Sequence, residues 1–132
     1  MRYDPVTLKD ASFLFDLLYE RPTYVNISHK EMPTYDAHCA HIKSKPYSEW
    51  YIIRSDEMTS FGTIYLSHQN EVAVFITRKY QRLGIGLQAA HWMINRHPKY
   101  RLLANISPNN LIAKRFMEKL GWKHIQMTYE RV

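Results

Sequence analysis

Apolar positions along the chain follow two periods. Over residues 8–20, Phe13, Leu14, Leu17 and Leu18 recur at three- and four-residue spacing. That predicts an amphipathic helix whose first turn Thr7 can cap. A shorter helix is predicted over residues 34–43, with Thr34 as its cap, and residues 21–33, bounded by Pro22 and Pro33, read as a loop. Residues 50–54 and 61–67 read as two strands around a polar turn. The continuous apolar run at 72–76 is what a strand buried on both faces looks like. A helix over 84–95 and a strand over 101–106 follow. The next helix spans 109–120, with the stripe Ile112, Ala113, Phe116, Met117 and Leu120, and Gly121 fits a left-handed cap at its end. Finally Ile125, Met127 and Tyr129 alternate with Gln126, Thr128 and Glu130, predicting a half-buried last strand. The order predicts an α/β fold with a mixed sheet, not a bundle or a barrel.

At 132 residues the chain fits one domain, residues 1–132. A domain of this size buries roughly two-thirds of its unfolded surface, enough for a core without staples. The 45% hydrophobic and 14% aromatic fractions argue against disorder. A single cysteine, Cys39, leaves no internal disulfide to form and fits a reducing compartment. The uncharged run 84–95 is too short to span a bilayer and contains Gln, His and Asn. The start, Met1-Arg2-Tyr3-Asp4-Pro5, lacks the apolar stretch of a signal peptide. The expectation is a cytoplasmic protein with no membrane partner.

The net charge of +6 is uneven. Residues 72–117 hold no acid, yet carry Arg78, Lys79, Arg82, Arg96, Lys99, Arg101, Lys114 and Arg115. Such a surplus concentrates anionic ligands: nucleic acid, acidic protein surfaces or phosphorylated cofactors.

Within that half lies Gln81-Arg82-Leu83-Gly84-Ile85-Gly86, between the apolar strand and the next helix. Glycine lets a ligand approach the backbone closely. Amides at a helix start bind phosphate through hydrogen bonds and the helix dipole. A pyrophosphate on residues 83–87 is physically sensible, with Arg78, Lys79 and Arg82 adding charge. Gly84-Ile85-Gly86-Leu87-Gln88-Ala89 also satisfies the dinucleotide pattern G-x-G-x-x-A. That pattern wants its first glycine directly after the strand and an acid about 20 residues on; neither is present. A tight turn with no ligand is the third reading.

These residues resemble the GCN5-related N-acetyltransferase (GNAT) superfamily. The strand Glu71-Val72-Ala73-Val74-Phe75-Ile76 is followed by Gln81-x-x-Gly84-x-Gly86, similar to the family's Q/R-x-x-G-x-G/A. Asn110-Leu111-Ile112-Ala113, leading to Glu118-Lys119-Leu120-Gly121-Trp122, is similar to its second motif. The resemblance implies a mostly antiparallel central sheet flanked by about four helices, here with a shortened C-terminal end. It implies acetyl transfer from acetyl-CoA to an amine. Cofactor contacts would come from Phe75 and Ile76 on the strand, from Gln81, Arg82, Leu83, Gly84, Ile85, Gly86 and Leu87 in the loop, and from Asn110. The loop before the second helix covers the acceptor in this family. Its Asn26-Ile27-Ser28-His29 resembles small members that acetylate amino sugars on nucleotide carriers, which puts Asn26 and His29 at the acceptor.

Two departures stand out. Met117 occupies a position where the family often has a tyrosine that protonates the leaving thiolate, and a thioether cannot donate a proton. Only residues 123–131 follow Trp122, where relatives place a final pair of strands; an open sheet edge would suit a second copy of the chain. A protonated amine cannot attack a thioester, so some group must take its proton. Glu71 sits near where some members place a glutamate base; a solvated strand-end carboxylate is the plain alternative. A backbone amide near Phe75 or Ile76 would stabilise the oxyanion.

Competing classes are a catalytically inactive CoA-binding or sensor module, motivated by Met117, and a basic nucleic-acid binder, which no zinc-finger spacing or RNA-binding aromatic motif supports. His38, Cys39 and His41 lack a second ligand pair, so no metal is expected.

Overall fold

A computed structural model describes residues 1–22 and 31–132. The sheet has four antiparallel strands in the order β1-β2-β3-β4: Arg2–Pro5, Glu49–Arg54, Ser60–Leu66 and Val72–Ile76. Helix α1 spans Ala11–Glu20, α2 Tyr35–Lys43, α3 Ile85–Arg96 and α4 Leu111–Leu120.

The helix ends form as their local residues dictate. Thr7 and Asp10 make a reciprocal capping box on the turn Leu8–Asp10 that leads into α1. Thr34 Oγ1 accepts from the Ala37 amide at 3.1 Å, opening α2. Gly121, at φ +77°, closes α4 while its amide donates to Glu118.

Strand alternation sorts the sheet into two faces. Ile53, Ile64, Leu66 and Val72 meet Ala89 and Met93 of α3. On the other face Ile52 meets Ala11 and Leu14 of α1 and Ile42 of α2. Arg54 of β2 ties the edge strand β1 to the turn before α1, bonding Asp4 at 3.0 Å and Asp10 at 2.5 Å. Gly62 is where β3 and β4 close up: a Cβ there would lie 2.1 Å from the Phe75 carbonyl oxygen.

Several expectations need correction. The sequence pattern does not predict strand β1; it is four residues long, and Tyr3 is held by stacking on Trp92 at 3.9 Å. Strand β4 is not buried on both faces: only Val72 is buried, because β4 is the edge of the four-stranded sheet. No strand forms at 101–106. A single parallel bridge, Glu71 to Leu103, is made before the segment leaves the sheet towards Pro108, which has no amide to donate. The final strand is also absent. Ile125, Met127 and Tyr129 are 54%, 69% and 85% exposed, because no strand among the described residues lies beside them. In α4, Ile112 faces solvent, while Phe116, Met117 and Leu120 are half-buried.

Candidate functional site

The site is built around the outer edge of β4. The Thr77 amide donates to Phe61 and the Ser67 amide to Glu71, so odd-numbered residues of this strand exchange hydrogen bonds with β3. The Val72 amide points the other way, to Leu103 at 2.7 Å. By the same alternation the amides of Val74 and Ile76 face the open edge, where the departing 101–106 segment leaves them without a strand partner. Of the two residues expected to offer an amide there, Ile76 faces that edge and Phe75 turns its amide to Thr63.

Beyond β4 the chain makes a short turn, Arg78–Tyr80, anchored by Tyr80 edge-on to Phe61. Gln81 Nε2 donates back to the Ile76 carbonyl at 3.0 Å. Its side chain therefore fixes the loop to the strand end instead of reaching outward. Arg82 and Gly84 both adopt positive φ, +65° and +80°. Gly84 starts α3 without a side-chain cap, and the first helical hydrogen bond runs from Gln88 to Gly84. The amides of Ile85, Gly86 and Leu87 are thus left for an outside acceptor. A Cβ on Gly84 would meet nothing within 4 Å, so space above it is open. Gly86 has a different reason: its Cα lies against Ile76, Val74 and Phe116 of α4, with a would-be Cβ at 3.5–3.7 Å from them. Leu83 is exposed, as are Arg78, Lys79 and Arg82, none of which is in an ion pair among the described residues. The arrangement suits a pyrophosphate on the helix start.

Asn110 is buried at the start of α4. Its Oδ1 accepts from the Ala113 amide at 3.1 Å, and its Nδ2 makes no hydrogen bond among the described residues. Glu71 opens β4. One carboxylate oxygen accepts from Ser67 Oγ at 3.1 Å and the other from Asn105 Nδ2. Its parity places it on the same sheet face as Ala73 and Phe75, the face that α1 and α2 cover. Asn26 and His29 lie outside the described residues. His38 is a core residue: its Nε2 meets the Ala11 carbonyl at 3.0 Å.

Sequence reasoning missed four neighbours on that face. The Arg21 guanidinium lies 3.4 Å from the centre of the Phe75 ring. Tyr65 stacks on Tyr47 at 3.7 Å, and Tyr65 also tilts toward Phe75. Burial pushes both phenols above the usual tyrosine range, so each O–H stays a donor at neutral pH. Glu20, the last residue of α1, accepts from Thr77 Oγ1 and from the Arg78 amide at 2.7 Å. The helical period of α1 ends before Arg21, and nothing local marks Arg21 as facing aromatic rings from β3, β4 and the 44–48 turn.

A family model described as Acetyltransferase (GNAT) family matches residues 13–122. Among solved structures, an N-acetyltransferase from Staphylococcus aureus is similar at 15% identity, with TM-score 0.73, covering 95% of this chain and 84% of its own. An acetyltransferase from Thermus thermophilus is 19% identical, TM-score 0.70, covering 95% and 88%. A chimeric spermidine N-acetyltransferase from Vibrio cholerae is 14% identical, TM-score 0.72, covering 92% and 81%. No curated protein matches the chain.

Proposed function

The chain belongs to the GNAT acetyltransferase family, whose members use acetyl-CoA as co-substrate, and from that premise we propose that it transfers the acetyl group to a primary amine by direct attack on the thioester. The observation that carries the site assignment is the open edge of β4 running into an uncapped helix start. The amides of Ile85, Gly86 and Leu87 hold the pyrophosphate, with Arg82 and Leu83 flanking it and Gly84 leaving the approach clear. The Val74 and Ile76 edge amides and Asn110 Nδ2 hold the pantetheine arm. Acetyl-CoA supplies the activated acyl group. Among the chain's own residues, Glu71 takes the amine proton, directly or through water. Ser67 and Asn105 hold its carboxylate in place. Gln81 positions the loop, and Phe75 floors the acceptor side.

The acceptor is an amino sugar on a nucleotide carrier, a reading supported by the resemblance of the segment that holds Asn26 and His29. Similarity to a spermidine N-acetyltransferase gives polyamines as the rival acceptor. A homodimer is supported by the alternating, exposed Ile125, Met127 and Tyr129. No helix among the described residues is long and apolar enough to cross a membrane. The single Cys39 fits a reducing, cytoplasmic setting.

The test is calorimetric titration with CoA, followed by thiol release from acetyl-CoA across a panel of amines. Protein that binds no CoA overturns the reading.

A further inference from the structure

The face of β4 that carries Glu71 and Phe75 holds a cation without a counter-charge among the described residues. Arg21 caps the C-terminus of α1, and its guanidinium is stacked on Phe75. Its Nε is buried with no hydrogen-bond partner, and its terminal nitrogens bond to no acceptor among the described residues. The polar groups around it are the phenols of Tyr47 and Tyr65, which burial keeps neutral. The carboxylate on the same face, Glu71, is held by Ser67 and Asn105. Glu20, next to Arg21 in the chain, is turned to Thr77 and Arg78. A desolvated guanidinium lacking an acceptor is costly, and stacking on a ring leaves its N–H edge free for a planar or tetrahedral anion.

We propose that Arg21 grips an anionic group, a phosphate or a carboxylate, carried by the acceptor amine. This rests on the reading of the β4 edge as the place of acetyl transfer. A bidentate pair from Arg21 to that anion orients the acceptor across Phe75, with its amine toward Glu71. The same cation rejects a polyamine, whose remaining ammonium groups meet like charge in a site with no free carboxylate among the described residues to receive them. Specificity thus comes from a repulsive element as well as an attractive one.

The test uses the full chain loaded with CoA, so that the helix-start anion site is filled. Glucosamine 6-phosphate, a uridine diphosphate amino sugar and glutamate are titrated beside glucosamine and spermidine. Binding is read by calorimetry, and turnover of each amine by thiol release from acetyl-CoA. At least one anionic probe is expected to bind or react on the order of tenfold better than glucosamine and spermidine. The phosphate and carboxylate arms say which anion the site prefers. Arg21→Met keeps the stem on Phe75 and is expected to remove that preference while CoA affinity stays within about twofold. Arg21→Lys is expected to restore part of it. Glucosamine or spermidine matching the best anionic probe, an Arg21→Met protein with unchanged preference, or CoA-loaded protein that binds no anionic probe would each overturn the proposal alone. Protein that binds no CoA overturns the acetyltransferase reading and this proposal with it.

Discussion

Gln81 reaches back five residues and donates from Nε2 to the carbonyl oxygen of Ile76 at 3.0 Å. This one bond joins the open edge of β4 to the loop that starts α3, so the two halves of the proposed cofactor site share a fixed spacing. The loop is thus tied at Gln81 before it turns through Arg82 and Gly84, both at positive φ.

The two loop glycines should respond differently to substitution. Gly84→Asp puts a side chain and a negative charge over the helix start, at a φ that side chains rarely adopt. CoA affinity is expected to fall on the order of 100-fold, about 2.7 kcal/mol. Gly86→Ala adds a methyl at ordinary contact distance from Ile76, Val74 and Phe116 and is expected to change affinity only a few-fold. Isothermal calorimetry on both variants decides; equal binding by Gly84→Asp places the cofactor elsewhere.

Glu71→Gln keeps the shape but removes the proposed base; its one amide oxygen can accept from Ser67 Oγ or Asn105 Nδ2, not from both. Turnover is expected to fall on the order of 10²–10⁴-fold, with CoA affinity nearly unchanged. The deficit should shrink as pH rises, because more of the acceptor then arrives already deprotonated. Wild-type turnover in this variant at neutral pH takes Glu71 out of the mechanism.

Met117 is half-buried in the last turn of α4, and its carbonyl accepts from Trp122. Met117→Tyr supplies a phenol where family members often carry one and is expected to raise turnover roughly tenfold. Steady-state rates that do not move assign the thiolate's proton to another donor; Tyr47 and Tyr65, both kept protonated by burial, are then the first to mutate.

The C-terminus of α3 gives a stability prediction. Burial opposes ionisation of Glu49, yet hydrogen bonds from Tyr51, Arg96 and His97 outweigh it and hold the carboxyl below its ordinary value of 4.5. A depressed carboxyl stabilises the fold fully above its unfolded value, and that contribution is lost as pH falls through the lower, folded one. Glu49→Gln is expected to cost about 1–2 kcal/mol at pH 7, the low end because Arg96 is 43% exposed. In urea melts the gap between variant and parent should close as pH drops below 4.5. A gap independent of pH shows that packing, not charge, is what Glu49 contributes.

Ile125, Met127 and Tyr129 present three apolar side chains at period two to solvent. The expected form in solution is a homodimer that covers them. Light scattering should give twice the chain mass, and Met127→Lys should lower it toward one. A monomer at high protein concentration rejects the pairing.

What the sequence made legible was local. Thr34 and Gly121 mark helix ends because each bonds within its own turn. The loop glycines stand out because left-handed backbone and close approach select for them. What it hid was long-range. Strand β1 has only Arg2-Tyr3-Asp4-Pro5 to announce it, and its partner Arg54 lies far along the chain. Conversely, the alternation of Ile125, Met127 and Tyr129 states which side chains would share a face, not whether a neighbouring strand exists. Arg21 was illegible for the same reason: its meaning comes from Phe75, Tyr65 and Tyr47, which only the folded sheet gathers.

The Glu20 carboxylate, bonded to Thr77 Oγ1 and the Arg78 amide, gives anyone redesigning this scaffold a place to cut and a place not to. It fastens the end of α1 to the start of the loop that leads into α3, one residue ahead of Arg21. Replacing the segment after Arg21 leaves this fastening whole. A graft whose junction falls before Glu20 and omits a carboxylate there unhooks that loop as well. Inactivity in such a chimera would report the lost fastening and say nothing about specificity.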